Sequence, residues 1–390
     1  MLFEINNRVE IPYKEDTDEI DQLTFVGEWF QEEAGIERKF VIFYYPKENS
    51  VELFDVKSKK TFLKRTKMKE IIKSDFYIGA KLNIFGRQIE ILDYGDNVTR
   101  SKLAAATERT FIIIHGNLRY RMGEIISVLN DNDIVVSNGR MLTFPKPSIK
   151  KFFGNESKSD VKTIVLINNL VHGPCVGLEI MGIDVLERIK RCLAQDESPK
   201  EEDIALRSFF EDDDIRNGIY CSKNSENCKE LAEFFNYTNE LNTTVVLNNT
   251  TLAIIKPHAV KEGKIGKIIT DICQNGFRVT GMRMKPLDRI NSEEFYEIYR
   301  GVLPEYIQMV AQLSSGMCMA LELQSEDPTK NTHAEFRTLC GPKDPEIGRH
   351  LRPNTLRAKY GKTKVLNAIH CTDLPDDCVL ELEYFFKILE

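Results

Sequence analysis

The sequence contains an internal duplication, which limits the chain to folds that can be built twice from one module. Residues 170–179 resemble residues 313–322 at an offset of 143, with leucine, glycine, cysteine, leucine and glutamate recurring in place. Further along, an offset of 150 aligns Cys221 with Cys371 and Phe235 with Phe385. We therefore predict two copies of one module, at residues 107–238 and 249–390, after a different N-terminal domain at residues 1–95 and with a linker at 239–249.

Each copy shows the same succession of an apolar strand, an amphipathic helix, extended runs and a terminal helix. In the second copy these patterns lie at residues 252–255, 265–274, 277–284, 317–323 and 380–386. This order, with one covered face of the sheet, predicts two ferredoxin-like α/β sandwich modules, of the α+β class. Residues 1–95 carry short β-branched and aromatic runs between turn residues, which predict a small β domain.

Composition argues against several classes of protein. The chain has 53 basic and 60 acidic residues, a net charge of −7, which argues against chain-wide binding of nucleic acid. No apolar run approaches the ~18 residues of a membrane-spanning helix, and the N terminus shows no signal-peptide pattern. Nine cysteines without a CxxC pair predict reduced thiols in an intracellular protein, with no metal site built from them.

The two copies differ where chemistry would occur. His370 of the second copy corresponds to Tyr220 of the first, and Lys256 corresponds to His115. The segment at 361–364 carries a charge of +2, whereas its counterpart at 211–214 carries −4. A pocket for polyphosphate needs cations, so the second copy is predicted to bind phosphate. The first copy is predicted to be degenerate, because a tyrosine with a pKa of about 10 is a poor phosphoryl acceptor.

Lys256-Pro257, Arg357 and the run from Asn367 to Asp373 resemble the signature of nucleoside diphosphate kinases, and the match covers nearly the whole second copy. In that family a histidine takes the γ-phosphoryl group from a nucleoside triphosphate such as ATP or GTP and passes it to a nucleoside diphosphate. A neutral imidazole suits this task because it is nucleophilic near neutral pH. The resemblance implies Mg²⁺ as the cofactor, carried on the nucleotide phosphates and not on protein ligands.

The resemblance also assigns roles to individual residues of the second copy. His370 is the expected nucleophile. Glu381, assisted by Thr372, is expected to accept a hydrogen bond from the ring nitrogen of His370 that does not attack phosphorus. The residues expected to bind the nucleotide are Lys256, Tyr296, Tyr306, Arg337, Lys343, Arg357 and Asn367. Asn367 would meet the ribose and Tyr306 the base.

Three positions depart from the family's usual pattern. Cys371 stands where the family usually has glycine, and His258 stands where it has aspartate. Lys343 lies near the position of a phosphate-binding threonine, and its charge would replace that contact.

The N-terminal residues resemble the DM-ten domain of ciliary ribbon proteins, in Phe54–Lys57, Phe76–Gly79 and Asp93–Asp96. This likeness implies a pleckstrin-homology-like β fold. Family members that join such a domain to two kinase modules occur inside ciliary and flagellar doublet microtubules and with the γ-tubulin ring complex at centrosomes or basal bodies. The resemblance therefore implies cytoplasm, cytoskeleton and axoneme as locations. It also implies tubulin and neighbouring microtubule inner proteins as partners, and neither nucleic acid nor membrane.

Two interpretations remain open at this stage. Eight basic residues between Lys57 and Lys73 form either a solvated hairpin face or a contact with an acidic filament such as tubulin. The chain as a whole is either an axonemal kinase with one working site or a purely structural microtubule-binding protein with a vestigial nucleotide pocket.

Overall fold

A computed structural model describes residues 21–31, 36–68, 71, 75–78, 80–103, 108–153, 161–194, 204–237 and 243–389. Some of the predictions fall outside the described residues. They concern the domain ends at residues 1, 107, 238 and 390, part of the linker, Gly79, and the basic residues Lys69 and Lys73. Within the described chain, none of the helices is long and apolar enough to cross a bilayer. The described residues form two compact units, one N-terminal and one that contains both repeats.

The N-terminal domain is built on a six-stranded sheet with strand order β4-β3-β2-β1-β6-β5. Alternating side chains such as Phe40 and Ile42 on β2 are fully buried, as are Ile89 and Ile91 on β6. The predicted small β domain is therefore confirmed. The elements are β1 (Leu23–Gln31), β2 (Ile36–Tyr45), β3 (Ser50–Asp55), β4 (Lys60–Lys67), β5 (Lys81–Ile84), β6 (Arg87–Tyr94) and the helix α1 (Asn97–Leu103).

The two repeats follow the predicted succession of strands and helices. The first repeat comprises β7 (Glu108–Ile114), α2 (Met122–Asp131), β8 (Val135–Thr143), α3 (Lys146–Phe153), α4 (Val161–His172), β9 (Pro174–Gly182), α5 (Val185–Ala194), α6 (Ile204–Phe210), α7 (Asp213–Asn217), β10 (Ile219–Cys221) and α8 (Ser225–Tyr237). The second comprises β11 (Thr250–Ile255), α9 (Pro257–Lys261), α10 (Ile265–Gln274), β12 (Phe277–Pro286), α11 (Arg289–Phe295), α12 (Tyr306–Leu313), β13 (Met317–Ser325), α13 (Thr332–Cys340), α14 (Pro345–Leu351), α15 (Leu356–Tyr360), β14 (Ile369–Cys371) and α16 (Cys378–Glu383).

The strands of both repeats join into one eight-stranded sheet with order β10-β7-β9-β8-β12-β13-β11-β14. Each repeat contributes four strands, and the second set runs in the reverse order of the first. The two sets meet where β8 pairs with β12, at Arg140 and Arg283. Because the strand pairs described in this sheet are antiparallel, the predicted ferredoxin-like α+β class is confirmed.

The prediction that one face of the module's sheet is covered was wrong, because helices cover both faces. On β7, Ile112 and Ile114 belong to an apolar cluster with α2, whereas Phe111 and Ile113 pack with Phe235 of α8. Successive side chains of a strand point to opposite faces, so this strand is buried on both sides. The cluster that includes Ile112 extends through both repeats, which therefore share one core.

Two glycines allow the helices α2 and α10 to pack backbone against backbone. A Cβ at Gly266 would lie 2.3 Å from the backbone nitrogen of Ser127, and one at Gly123 would lie 2.7 Å from that of Thr270. These two glycines are 143 residues apart, the offset of the duplication. The same close approach is therefore built from equivalent positions of the two copies.

Replacing Gly266 with alanine should lower the free energy of unfolding by roughly 1–3 kcal/mol, because the helices must separate to admit the methyl group. Urea denaturation of the full chain measures this loss. Gly316→Ala is the matched control, since its Cβ would meet Lys261 at an ordinary 3.4 Å. Equal stability of the two variants would contradict the account of the helix contact.

Candidate functional site

The pairing of β14 with β11 fixes His370 at the last strand of the sheet. His370 lies opposite Ile254, and its imidazole is only 7% exposed. The rings of Phe295 and Tyr296 flank it, with centroids 5.1 Å and 6.1 Å from its own. The sheet and these two aromatic rings thus hold the imidazole in one orientation.

A carboxylate on α16 determines which ring nitrogen of His370 is engaged. Oε2 of Glu381 lies 3.0 Å from Nε2 of His370 and accepts a 2.8 Å hydrogen bond from the hydroxyl of Thr372. Because a carboxylate accepts hydrogen bonds, Nε2 carries the proton and Nδ1 carries the lone pair of the neutral ring. No described residue hydrogen-bonds to Nδ1. The geometry therefore presents Nδ1 as a nucleophile.

The turn before His370 is clamped by the segment that carries Lys256. Ala368 adopts a left-handed backbone conformation, with φ of 67°. Its carbonyl accepts from the backbone N–H of Lys256 at 2.9 Å, and its own N–H donates to Nε2 of His258 at 3.2 Å. Burial lowers the pKa of His258 to about 4, so the ring is neutral and can accept that bond. The imidazole of His258 thus holds a strained turn.

The side chain of Lys256 is the most buried cation of this cluster. The residue is 3% exposed, and its amine donates to the carbonyl of Val365 at 3.2 Å. Burial, together with the charges of Arg357 and Lys343, lowers the pKa of Lys256 to about 7. Its amine is therefore poised to gain a proton when an anion arrives.

Two arginines lie beside the strand that carries the histidine. Arg357 donates from Nε to the carbonyl of Ile369 at 3.1 Å and from Nη1 to that of Gly341 at 3.0 Å. Arg337 donates from Nη1 to the carbonyl of Thr372 at 2.9 Å and to the carboxylate of Asp373 at 2.6 Å. The structure thus brings Lys256, Arg337 and Arg357 around the short segment that contains His370.

Two buried polar atoms of this site have no hydrogen-bond partner among the described residues. They are the hydroxyl of Tyr296 and Oδ1 of Asn367. Burial raises the pKa of Tyr296, so the orphaned hydroxyl remains protonated. An unsatisfied buried polar atom is costly, and a polar ligand would relieve both. These orphaned groups indicate that the site is built for a hydrogen-bonding ligand.

Lys343 lies at the margin of the cluster. Its amine is 3.7 Å from the sulfur of Met309 and 5.8 Å from the centroid of the Tyr299 ring. The hydroxyl of Tyr299 donates to Asp373, and Nδ2 of Asn367 donates to the carbonyl of Lys343 at 3.3 Å. Lys343 and Asn367 therefore belong to the same group of contacts.

Other residues singled out in the sequence lie elsewhere. The hydroxyl of Tyr306 donates to the carbonyl of Glu293 at 3.4 Å, and no described contact joins Tyr306 to His370 or to the arginines. Lys362 pairs with Glu262 at 2.6 Å, and Lys364 lies 3.8 Å from Asp344. The cations of the cluster thus come from the residue that follows β11, from α13 and from α15, and not from the basic segment at 361–364.

The equivalent position in the first repeat lacks a nucleophile. Tyr220 pairs with Ile113 as His370 pairs with Ile254, and its hydroxyl donates to Asn227 at 3.2 Å. Burial raises the pKa of Tyr220 to about 12. Burial also lowers the pKa of His115, the counterpart of Lys256, to about 4, so that side chain is neutral.

Four residues of the site were missed in the sequence, namely Phe295, Tyr299, Cys340 and Asp373. Asp373 belongs to the quoted signature, and hydrogen bonds from Tyr299 and Arg337 lower its pKa in spite of burial, which raises it. Its place at the end of the run from Asn367 to Asp373 could have identified Asp373 as a site residue. The other three lie on α11, on the turn at Glu297–Tyr299 and on α13, far from the signature in sequence.

Known proteins resemble this chain over most of its length. The nucleoside diphosphate kinase family model matches residues 108–240 and 249–390, and the DM10 domain model matches residues 14–98. Nucleoside diphosphate kinase homolog 7 of Rattus norvegicus is 40% identical over 389 residues, which cover 97% of this chain and 96% of that protein. The homolog 7 of Mus musculus is 39% identical over 385 residues, with the same shares covered.

Among solved structures, an orthorhombic crystal form of the Aquifex aeolicus nucleoside diphosphate kinase is 35% identical. It covers 36% of this chain and 96% of its own, with a TM-score of 0.33. The resemblance stated from the signature residues and from the N-terminal motifs is confirmed by the family-model and relative matches.

Proposed function

The chain belongs to the nucleoside diphosphate kinase family, and from this premise we propose that its second repeat transfers a γ-phosphoryl group between nucleoside tri- and diphosphates through His370. One observation carries the proposal. Glu381 engages Nε2 of His370 at 3.0 Å, while Nδ1 is free of described partners. The first repeat, with Tyr220 and a neutral His115, is a structural partner in this proposal.

The reaction consists of two displacements at phosphorus. Nδ1 of His370 attacks the γ-phosphorus, forms a P–N bond and breaks the bond to the oxygen that bridges to the β-phosphate. The nucleoside diphosphate leaves with that electron pair. A second diphosphate then attacks the phosphohistidine and reverses the step. Glu381 stabilises the positive charge that the ring gains, because its carboxylate accepts the Nε2 proton in a hydrogen bond.

The cations of the site neutralise the phosphate oxygens. Lys256, Arg337 and Arg357 are held by protein carbonyls at 2.9–3.2 Å, so little reorganisation is needed before phosphate contact. The hydroxyl of Tyr296 would donate to a phosphate oxygen, and Oδ1 of Asn367 would accept from a ribose hydroxyl. Tyr306 remains the proposed residue for the base, and Lys343 the proposed replacement for a phosphate-binding threonine.

The donor set fits a metal that is carried by the nucleotide. No group of three or more His, Cys, Asp or Glu side chains suited to a metal ion occurs in the part of the chain that the structure describes. The site instead holds the side chains of Lys256, Arg337 and Arg357, whose charges suit phosphate oxygens. When bound with the nucleotide, Mg²⁺ would supply further neutralisation of those oxygens.

Incubation of the full chain with γ-labelled ATP and Mg²⁺ tests this function. We expect a protein-bound label that acid removes, that alkali leaves in place and that a nucleoside diphosphate chases into triphosphate. Glu381→Gln should label more slowly, because the ring loses its charged partner. Absence of label at saturating nucleotide would contradict the proposal and leave only the structural role.

The lowered pKa of Lys256 predicts that nucleotide binding takes up a proton. The free amine is protonated below pH 7 and neutral above it, and bound phosphate favours the charged form. At pH 8 we expect uptake of about one proton per nucleotide, measured by titration calorimetry in buffers of different ionisation enthalpy. The uptake should disappear at pH 6. Equal uptake by the Lys256→Met variant would contradict this assignment.

We also propose that the chain works as a component of axonemal doublet microtubules, with tubulin and neighbouring microtubule inner proteins as partners and a second site at centrosomes. This proposal rests on the resemblance of the N-terminal residues to the DM-ten domain of ciliary ribbon proteins. A specific observation favours a docking role: β4 lies at one edge of the N-terminal sheet, and its Lys60, Lys64 and Lys67 are exposed. Lysines on an edge strand also prevent strand pairing, which is the competing explanation.

Reversing the charge of Lys60, Lys64 and Lys67 to glutamate should weaken co-sedimentation with microtubules at least about tenfold, because an acidic surface would lose three favourable contacts. Arg65 is left intact, since it pairs with Glu48 at 2.9 Å and stacks on Tyr45. Lys229, Lys330 and Lys387, exposed lysines of the other unit, provide a control with the same charge change. Equal binding by both triple variants would argue against docking through β4.

A further inference from the structure

The sulfur of Cys371 lies between the two arginines of the site. It directly follows His370 on β14, and the residue is 2% exposed. Nη2 of Arg357 lies 3.4 Å from the sulfur, and Nη1 of Arg337 lies 4.0 Å from it. The family usually has glycine at this position. This chain therefore adds an acceptor where the usual residue has no side chain.

The sulfur of Cys371 is the acceptor that the two arginines share, because their other hydrogen bonds go to different groups. Arg357 is otherwise held by the carbonyls of Ile369 and Gly341, and Arg337 by Thr372 and Asp373. Each arginine is thus anchored separately by backbone oxygen. Cys371 connects them, and it does so one residue from the imidazole.

The surroundings of Cys371 favour its thiolate. The groups that face it are Arg337 and Cys340 from α13, Arg357 from α15 and His370 from its own strand, whereas its partner on β11 is Ala253. A hydrogen bond from the Cys340 thiol is the main cause that lowers the pKa of Cys371, and the neighbouring charges add to it against the effect of burial. The same pair interaction and burial raise the pKa of Cys340, which stays a thiol.

Resting on the proposed phosphoryl transfer at His370, we propose that Cys371 is a positioning residue: its sulfur holds the guanidinium groups of Arg357 and Arg337 together beside the imidazole. An anionic sulfur adds a negative charge beside that of Asp373, so it reduces the repulsion between the two arginines in a poorly solvated site. It also holds them in place before the nucleotide binds, so the arginines need little rearrangement to contact the transferring phosphoryl group.

Cys371→Ser is the first test, because serine keeps a small acceptor but stays neutral. The single-turnover rate of His370 phosphorylation should fall roughly tenfold or more, the loss expected for a hydrogen bond to a charged group. The nucleotide concentration for half-maximal rate should change less than the rate does, because both arginines keep their backbone anchors. Cys221→Ser, at the equivalent position of the first repeat, is the matched control, since its sulfur lies 3.7 Å from the hydroxyl of Thr110.

Ultraviolet absorbance of thiolate provides a second measurement that does not depend on catalysis. At neutral pH the wild-type chain should show one thiolate more than Cys371→Ser, and this signal should disappear on acidification. If Cys371→Ser does not fold, Cys340→Ala serves in its place, because loss of the S–H donor should move the thiolate titration to higher pH.

The outcomes separate this proposal from the proposed function. A wild-type rate in Cys371→Ser, or no thiolate difference at neutral pH, would overturn the positioning role even if His370 is phosphorylated. If the wild-type chain takes no label from ATP, the phosphoryl transfer fails, and the positioning role that rests on it falls as well. The absorbance measurement would then still report whether the sulfur between the arginines is ionised.

Discussion

Replacing His370 with alanine should reduce phosphoryl transfer between nucleotides at least about 10⁴-fold, because no P–N bond can form and the covalent route is lost. The measurement is the initial rate of triphosphate formation from ATP and a second nucleoside diphosphate. Nucleotide binding should remain, since Lys256, Arg337 and Arg357 keep their backbone anchors at 2.9–3.2 Å. Retained binding would show that the loss is chemical and not a failure to fold.

The first repeat provides the matched control for this prediction. Tyr220→Phe removes the hydroxyl at the position equivalent to His370, on a side chain whose pKa burial raises to about 12. The rate should stay within about twofold of wild type, because a protonated phenol without a base is a poor acceptor. A comparable loss in Tyr220→Phe would mean that the first repeat takes part in the chemistry.

Replacing Lys256 with methionine should lower the rate of His370 phosphorylation by about 10²–10³-fold, the usual effect of removing one group that stabilises developing charge. Methionine matches the length of the lysine stem, and Lys256 is only 3% exposed, so packing is largely kept. The free energy of unfolding should not fall by more than about 1 kcal/mol, because no unpaired charge is left buried.

His115→Met is the corresponding control in the first repeat. Burial lowers the pKa of His115 to about 4, so its replacement removes no charge. Single-turnover phosphorylation should then be unchanged. A loss of activity in His115→Met as large as that in Lys256→Met would contradict the assignment of phosphate binding to the second repeat alone.

Much of the fold could be predicted because the same pattern of strands and helices occurs in both copies of the module. Apolar runs at 252–255 and 277–284 lie within β11 and β12, because a short continuous apolar run and a partly alternating run both indicate strands. Burial on both faces of β7 was missed, because a short all-apolar run has the same appearance whether one face or both are covered. The helices of the second face were needed to decide it.

The site could be predicted only for residues that lie close together along the chain. Glu381 lies one short helix after His370, and the two meet at 3.0 Å, as the signature resemblance implied. The contacts of Cys371 could not be predicted, because its partners Arg337 and Arg357 are 34 and 14 residues away along the chain. The ion pair between Lys362 and Glu262 could not be predicted either, because the net charge of a segment does not indicate which acidic residue each of its lysines contacts.

The central claim is that His370 alone carries the phosphoryl group, on Nδ1. Phosphorus NMR of the labelled full chain, combined with peptide mass spectrometry under alkaline conditions, tests it most directly. The account predicts a single phosphohistidine at residue 370 with phosphorus on Nδ1, because Glu381 holds Nε2. Phosphate on Nε2 of His370, on Tyr220 or on any other residue of the chain would contradict the account.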